Sequence, residues 1–159
     1  MTRIEDMSET ERQSWIALLA DGVVFFWFWQ KMTFGRALAP EAMSLESFGR
    51  IILGLVILTI ILHAIIAAFF EFRKRREAVE RDERDLEIER KGAHMGYRFM
   101  QIGTGCVVVG VFLSHRYLGA DYLSTFPMQT PVQIIFYLLV VSYLAALLKQ
   151  AVMIIAYRR

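Results

Sequence analysis

A single cysteine, Cys106, excludes an intrachain disulfide, and its place in an apolar run reads as a small buried side chain. Charge of one sign is also missing. Eighteen Lys and Arg stand against sixteen Asp and Glu, a net charge of +2, so the one-sided basic patch of a nucleic-acid footprint is absent and direct nucleic-acid binding is not expected. There is no HExxH, no GxSxG, no phosphate-cradling glycine loop and no paired histidine cluster, which leaves no enzyme motif and no expected cofactor or metal. The opening residues lack the basic stretch, short apolar core and small-residue cleavage site of a removed signal peptide.

What is abundant is apolar surface. Of 159 residues, 56% are hydrophobic, too many for an ordinary soluble domain of this length. The lipid bilayer is the expected solvent and the fold class is all-α, a single polytopic membrane domain. Four transmembrane helices are expected, at about 15–34, 48–72, 96–118 and 131–157. Local signals mark their starts. Ser8, Glu9, Thr10 and Glu11 form a capping-box pattern that predicts a helix from near Glu9. Thr130, Pro131 and Gln133 predict a capped start for the last helix. The aromatic run Phe25 to Trp29 suits a membrane boundary, with Trp15 marking the opposite one.

Polarity is concentrated in one place. Between Glu71 and Arg98 lie eight of the sixteen acids and nine of the eighteen Lys and Arg. Apolar residues persist through this block seven apart, Val79 with Leu86 and Ile88 with Met95, so two helices are expected to continue out of the membrane and form a charged hairpin over 73–95. Its turning point falls at Asp82, Glu83, Arg84 and Asp85, with Asp82 as the cap of a new helix and Asp85 in its first turn. Glu77 and Arg81 are four apart in the favourable order. The expected partner-binding residues are Arg76, Arg81, Asp82, Glu83, Arg84, Asp85 and Arg90.

Three polar residues interrupt the apolar spans. Asp21 must face other helices, meet a cation or be protonated, because an ionised carboxylate in lipid costs several kcal/mol. His63 has no ligand spacing to another His or Cys, so a hydrogen-bonded neutral imidazole is expected. Lys149 lies about two turns from the end of the last span and can snorkel to the interface, a role preferred to pairing with Asp21. A different pattern marks the third span. Gly92 and Gly96 make a GxxxG step, and Gly96, Gly103 and Gly110 recur every seven residues with Cys106 on the same side, a smooth stripe for close helix packing within the bundle or between two chains. A homodimer is expected on that ground.

Lys and Arg are biased to the side that carries both termini and the charged block. This places the N-terminus, the C-terminus and the hairpin in the cytoplasm. The run Asp82 to Gly92 with the later Tyr97 resembles the DERD-x-x-I-x-x-(R/K) motif of small four-helix prokaryotic membrane proteins grouped as a domain of unknown function, which implies the inner membrane of a bacterium. Small multi-span proteins of this kind also resemble the membrane inhibitors of LytTR-type regulatory systems, in which a membrane protein holds a DNA-binding transcription regulator inactive. That resemblance implies a non-enzymatic regulator with a cytoplasmic protein partner. The alternative from the residues is a small ion- or proton-coupled transporter or channel using Asp21, His63 and Lys149.

Overall fold

The computed structural model describes residues 9–33, 43–74, 82–116 and 128–158, and these contain four helices: α1 (Glu9–Thr33), α2 (Leu45–Lys74), α3 (Glu83–Arg116) and α4 (Pro131–Tyr157). The Ser8 cap, Arg76, Arg81 and the Glu77–Arg81 pair lie outside the described residues, as does the chain between α2 and Asp82. α4 begins as its sequence dictates. The Thr130 hydroxyl accepts from the Gln133 amide at 3.2 Å, and the Gln133 side chain accepts from the Thr130 amide at 3.1 Å, with Pro131 in the first turn. α3 starts where Asp82 was expected to cap it, with the Asp82 carbonyl accepting from Asp85 at 3.0 Å and acids in the first turn.

Three of these helices, α2, α3 and α4, are long and apolar enough to cross a membrane. The expectation of four spans is corrected here: α1 is not one of them. Glu11, Asp21, Gln30 and Lys31 dilute its apolar run, and protein supplies the cover that lipid would refuse. All the buried polar side chains among the described residues, Glu11, Ser14, Asp21 and Thr33, belong to α1. α3, at 34 residues, is about 51 Å long at ~1.5 Å per residue, well beyond the ~30 Å of hydrocarbon, and its surplus is the charged end from Glu83 to Lys91.

The helices stand in a row, α2 against α1, α1 against α4, and α4 against α3. The glycine stripe explains the last pairing. A Cβ added at Gly96 would lie 2.9 Å from the Ala145 carbonyl oxygen, one at Gly103 would lie 2.6 Å from a Val141 methyl, and those at Gly92 and Gly110 would strike Met153 and Met128. The stripe is therefore used inside the chain, against α4, and the homodimer loses the feature that suggested it. Cys106 does not share that face. It is exposed, which overturns the expectation of a buried thiol.

The core contains a second correction. Phe28 is fully buried, 5.6 Å from Phe136 and stacked on Tyr143, and Trp29 lies 5.5 Å from Phe136. The aromatic run of α1 thus includes a core layer with Val24, Met32 and Phe136 rather than serving as a membrane-boundary belt. α2 is the reverse case: Leu53, Val56, Ile57, Ile60, Ile61 and Ile65 are all exposed, far more apolar surface than water tolerates, which suits a helix facing acyl chains.

Candidate functional site

Four helix segments meet at one end of the row, and Asp85 holds them there. Its Oδ1 accepts from the Thr10 hydroxyl of α1 at 3.1 Å and from the Tyr157 hydroxyl of α4 at 2.8 Å. One carboxylate therefore ties together helix ends that are 75 and 72 residues away in the chain. Beside it, Arg158 lies over the Trp15 ring at 5.4 Å and reaches Glu11 at 3.7 Å.

Below Asp85 is a cavity of about 330 Å³ whose polar lining comes from Thr10, Gln13, Ser14, Glu89, Lys149 and Gln150, closed on the α2 side by Ile66 and Ala67. Lys149 occupies its inner part because Gly92 and Gly96 let α3 approach the Lys149 backbone and Cβ closely. Its amino group is within electrostatic reach of Asp21, one turn deeper. Taken at ~1.5 Å per residue, Lys149 sits roughly 12 Å inward from Tyr157, and Asp21 roughly 16 Å inward from Thr10. Polar groups therefore line about half the thickness of a bilayer core.

The inner end of this ladder is Asp21 with His63. Asp21 Oδ1 lies 3.3 Å from His63 Nε2, while His63 Nδ1 lies 2.9 Å from the Thr59 carbonyl oxygen. A carbonyl only accepts, so Nδ1 carries a hydrogen. The contact between Nε2 and the carboxyl group then needs a proton of its own, held by the imidazolium or by the carboxylic acid. The pair shares one proton and is neutral as a unit. Beyond it the ladder stops, since Val24, Phe28 and Phe136 are fully buried and leave no polar group in line.

The residues expected to bind a partner divide into two sets. Asp85, Ile88 and Gly92 face inward at helical spacing, Asp85 into its two hydrogen bonds, Ile88 at 5% exposure and Gly92 against Met153. Asp82, Glu83, Arg84 and Arg90 are exposed, as are Glu87 and Lys91, whose 2.8 Å ion pair runs along the helix surface. The pairing of Asp21 with His63 was not anticipated, and neither were Thr10, Ser14, Gln13, Gln150 and Tyr157. Each is an ordinary polar residue near a helix end or on a mixed face, and only the fold brings it to the cavity. Among the described residues no group of three His, Cys, Asp or Glu side chains could hold a metal ion.

No family model, curated protein or solved structure matches this chain. Its site is therefore read from geometry and chemistry alone: an acid-lined mouth, a lysine beneath it, a proton-sharing pair deeper still, and an outward face of mixed charge on α3.

Proposed function

We propose that the protein is a non-enzymatic membrane regulator that binds or sequesters a cytoplasmic protein through the exposed charged face at the start of α3. The observation that carries this reading is the division of labour on that helix. The inward residues hold the bundle, whereas Asp82, Glu83, Arg84 and Arg90 project outward with no hydrogen bond or ion pair among the described residues. A rigid helix presenting alternating charge fixes register and partner choice better than it adds affinity. The partner class suggested by the resemblance of the Asp82–Gly92 run is a LytTR-type DNA-binding regulator. Arg76 and Arg81 belong to the same proposal as the other arm of a cytoplasmic hairpin, with both termini on that side of a bacterial inner membrane, as the Lys and Arg bias argues. A homodimer remains part of it only through a face other than the glycine stripe.

The test is copurification of the full-length protein from detergent with a soluble regulator. Changing Asp82, Glu83 and Arg84 together to alanine should release the partner and leave the melting temperature unchanged. Full retention of the partner by this variant removes the proposal. Asp85 is kept intact in this test, because its loss would also unfasten Thr10 and Tyr157.

A second reading is favoured by one observation, the proton shared by Asp21 and His63. In a proton-coupled transporter this pair, with Lys149 nearby, would load and release the ion. The closed layer of Val24, Phe28 and Phe136 argues for a blind vestibule in this conformation and places the reading second. Liposome flux with a pH-sensitive dye separates the two. Asp21→Asn can donate from its amide to Nε2, which keeps the contact while removing the transferable proton, so flux in the parent that disappears in this variant would establish transport.

A further inference from the structure

The cavity beneath Asp85 continues, on the same faces of α2 and α4, into an apolar groove of about 220 Å³ lined by Leu55, Thr59, Ile60, Leu139 and Tyr143. Ile66 and Ala67 border the polar cavity, while Ile52 borders the far end of the groove. The stretch from Ala67 to Ile52 is fifteen residues of one helix, roughly 22 Å at ~1.5 Å each, the length of an extended acyl chain.

Charge along the same line has a fixed order. Lys149 lies deep, level with Gly92 where the apolar part of α3 begins, and the carboxylates of Asp85 and Glu89 lie nearer the mouth. Tyr157, Gln13 and Gln150 stand between them as neutral hydrogen-bonding groups. A phospholipid in a bilayer presents its chemistry in this order: acyl chain innermost, then phosphate, then the headgroup cation facing water.

We propose that this continuous polar-to-apolar cleft binds a single membrane phospholipid with a primary-ammonium headgroup. Its phosphate rests on Lys149, its ammonium donates to Asp85 and Glu89, and one acyl chain lies in the groove between α2 and α4. Asp85 keeps a second carboxylate oxygen for this purpose, since both of its intrachain hydrogen bonds fall on Oδ1. A primary ammonium has three N–H donors and a quaternary one has none, so the two acids at the mouth discriminate ethanolamine from choline headgroups. Glycerol headgroups lack the cation and leave both acids facing a net negative lipid. The site is independent of the regulator reading and of its partner.

The test uses delipidated full-length protein in detergent, with binding measured by native mass spectrometry. The probes are short-chain phosphatidylethanolamine, phosphatidylcholine and phosphatidylglycerol, with free phosphoethanolamine as a fourth. Phosphatidylethanolamine should bind about tenfold or more tightly over the other two lipids, the worth of a hydrogen bond to a charged group. Lys149→Gln should weaken all three lipids. Glu89→Lys, a change at an exposed position, should reverse the order in favour of phosphatidylglycerol, a switch that simple misfolding does not produce. Equal binding of the three lipids, or an order untouched by Glu89→Lys, overturns the proposal. Free phosphoethanolamine binding as tightly as the lipid also overturns it, because the groove would then contribute nothing.

Discussion

A methyl group at Gly103 would meet Val141 Cγ1 at 2.6 Å and Cγ2 at 3.0 Å, whereas one at Gly105, two residues on, would meet nothing within 4 Å. The two glycines share a helix and a lipid environment, so Gly103→Ala and Gly105→Ala differ in little but the clash with α4. Glycine to alanine in a helix interior gains up to about 1 kcal/mol of propensity. Overpacking against a β-branched neighbour, whose χ1 is nearly fixed in a helix, costs about 1–3 kcal/mol. Gly105→Ala should therefore be neutral or up to ~1 kcal/mol more stable than the parent, and Gly103→Ala should fall ~1–3 kcal/mol below Gly105→Ala. Val141→Ala removes both offending methyls, so in its presence Gly103→Ala should recover most of the loss, a coupling of ~1–2 kcal/mol in a double-mutant cycle. Reversible unfolding in mixed micelles, followed by helical circular dichroism for the parent, the singles and the double, measures each of these. Equal stability of Gly103→Ala and Gly105→Ala, or no rescue by Val141→Ala, would refute the α3–α4 packing described above.

Other consequences follow from single contacts and can be read in the same unfolding assay. Thr130→Ala should cost about 1 kcal/mol through loss of the capping box at the start of α4, and Thr130→Ser should restore it. Asp85→Ala should cost about 1–3 kcal/mol and Tyr157→Phe about 1 kcal/mol, with Tyr157→Phe nearly silent once Asp85 is gone. Cys106→Ala should change stability by less than about 0.5 kcal/mol, because the thiol is exposed and fills no gap in the bundle.

The elements whose determinants are local were legible in the sequence. The capping box at Thr130, the start of α1 near Glu9, the start of α3 after Asp82 and the glycine stripe each depend on residues a few positions apart, and each has its physical cause in the same short stretch. What the stripe packs against was not legible, since Val141 and Ala145 carry no mark of complementarity to a glycine face. The same limit applies to α1. Its apolar length suggested a span, but its fate depends on Glu11, Ser14 and Asp21 being covered by other helices, a property of the assembled row. Asp21 and His63 were each suspect on their own. Their shared proton follows only from the Thr59 carbonyl on one ring nitrogen and the carboxyl group on the other. The partner-binding residues were chosen for charge alone, and charge does not distinguish Asp85, turned inward, from Arg84, turned outward.

The position of α4 has a consequence for how the molecule is made. α1 leaves the ribosome first and carries the acidic and hydroxyl groups that lipid least accepts, yet the surface that shelters most of them is on the helix synthesised last. Until α4 is inserted, Thr10 and Ser14 lack Tyr157 and Met153 beside them, and the Phe28 ring lacks Phe136. A nascent chain halted before Pro131 would keep its glycine seam open and its first helix unsheltered, a state that membrane proteases can recognise. Completion of the final twenty-seven residues is thus the step that turns three separate segments into a finished protein.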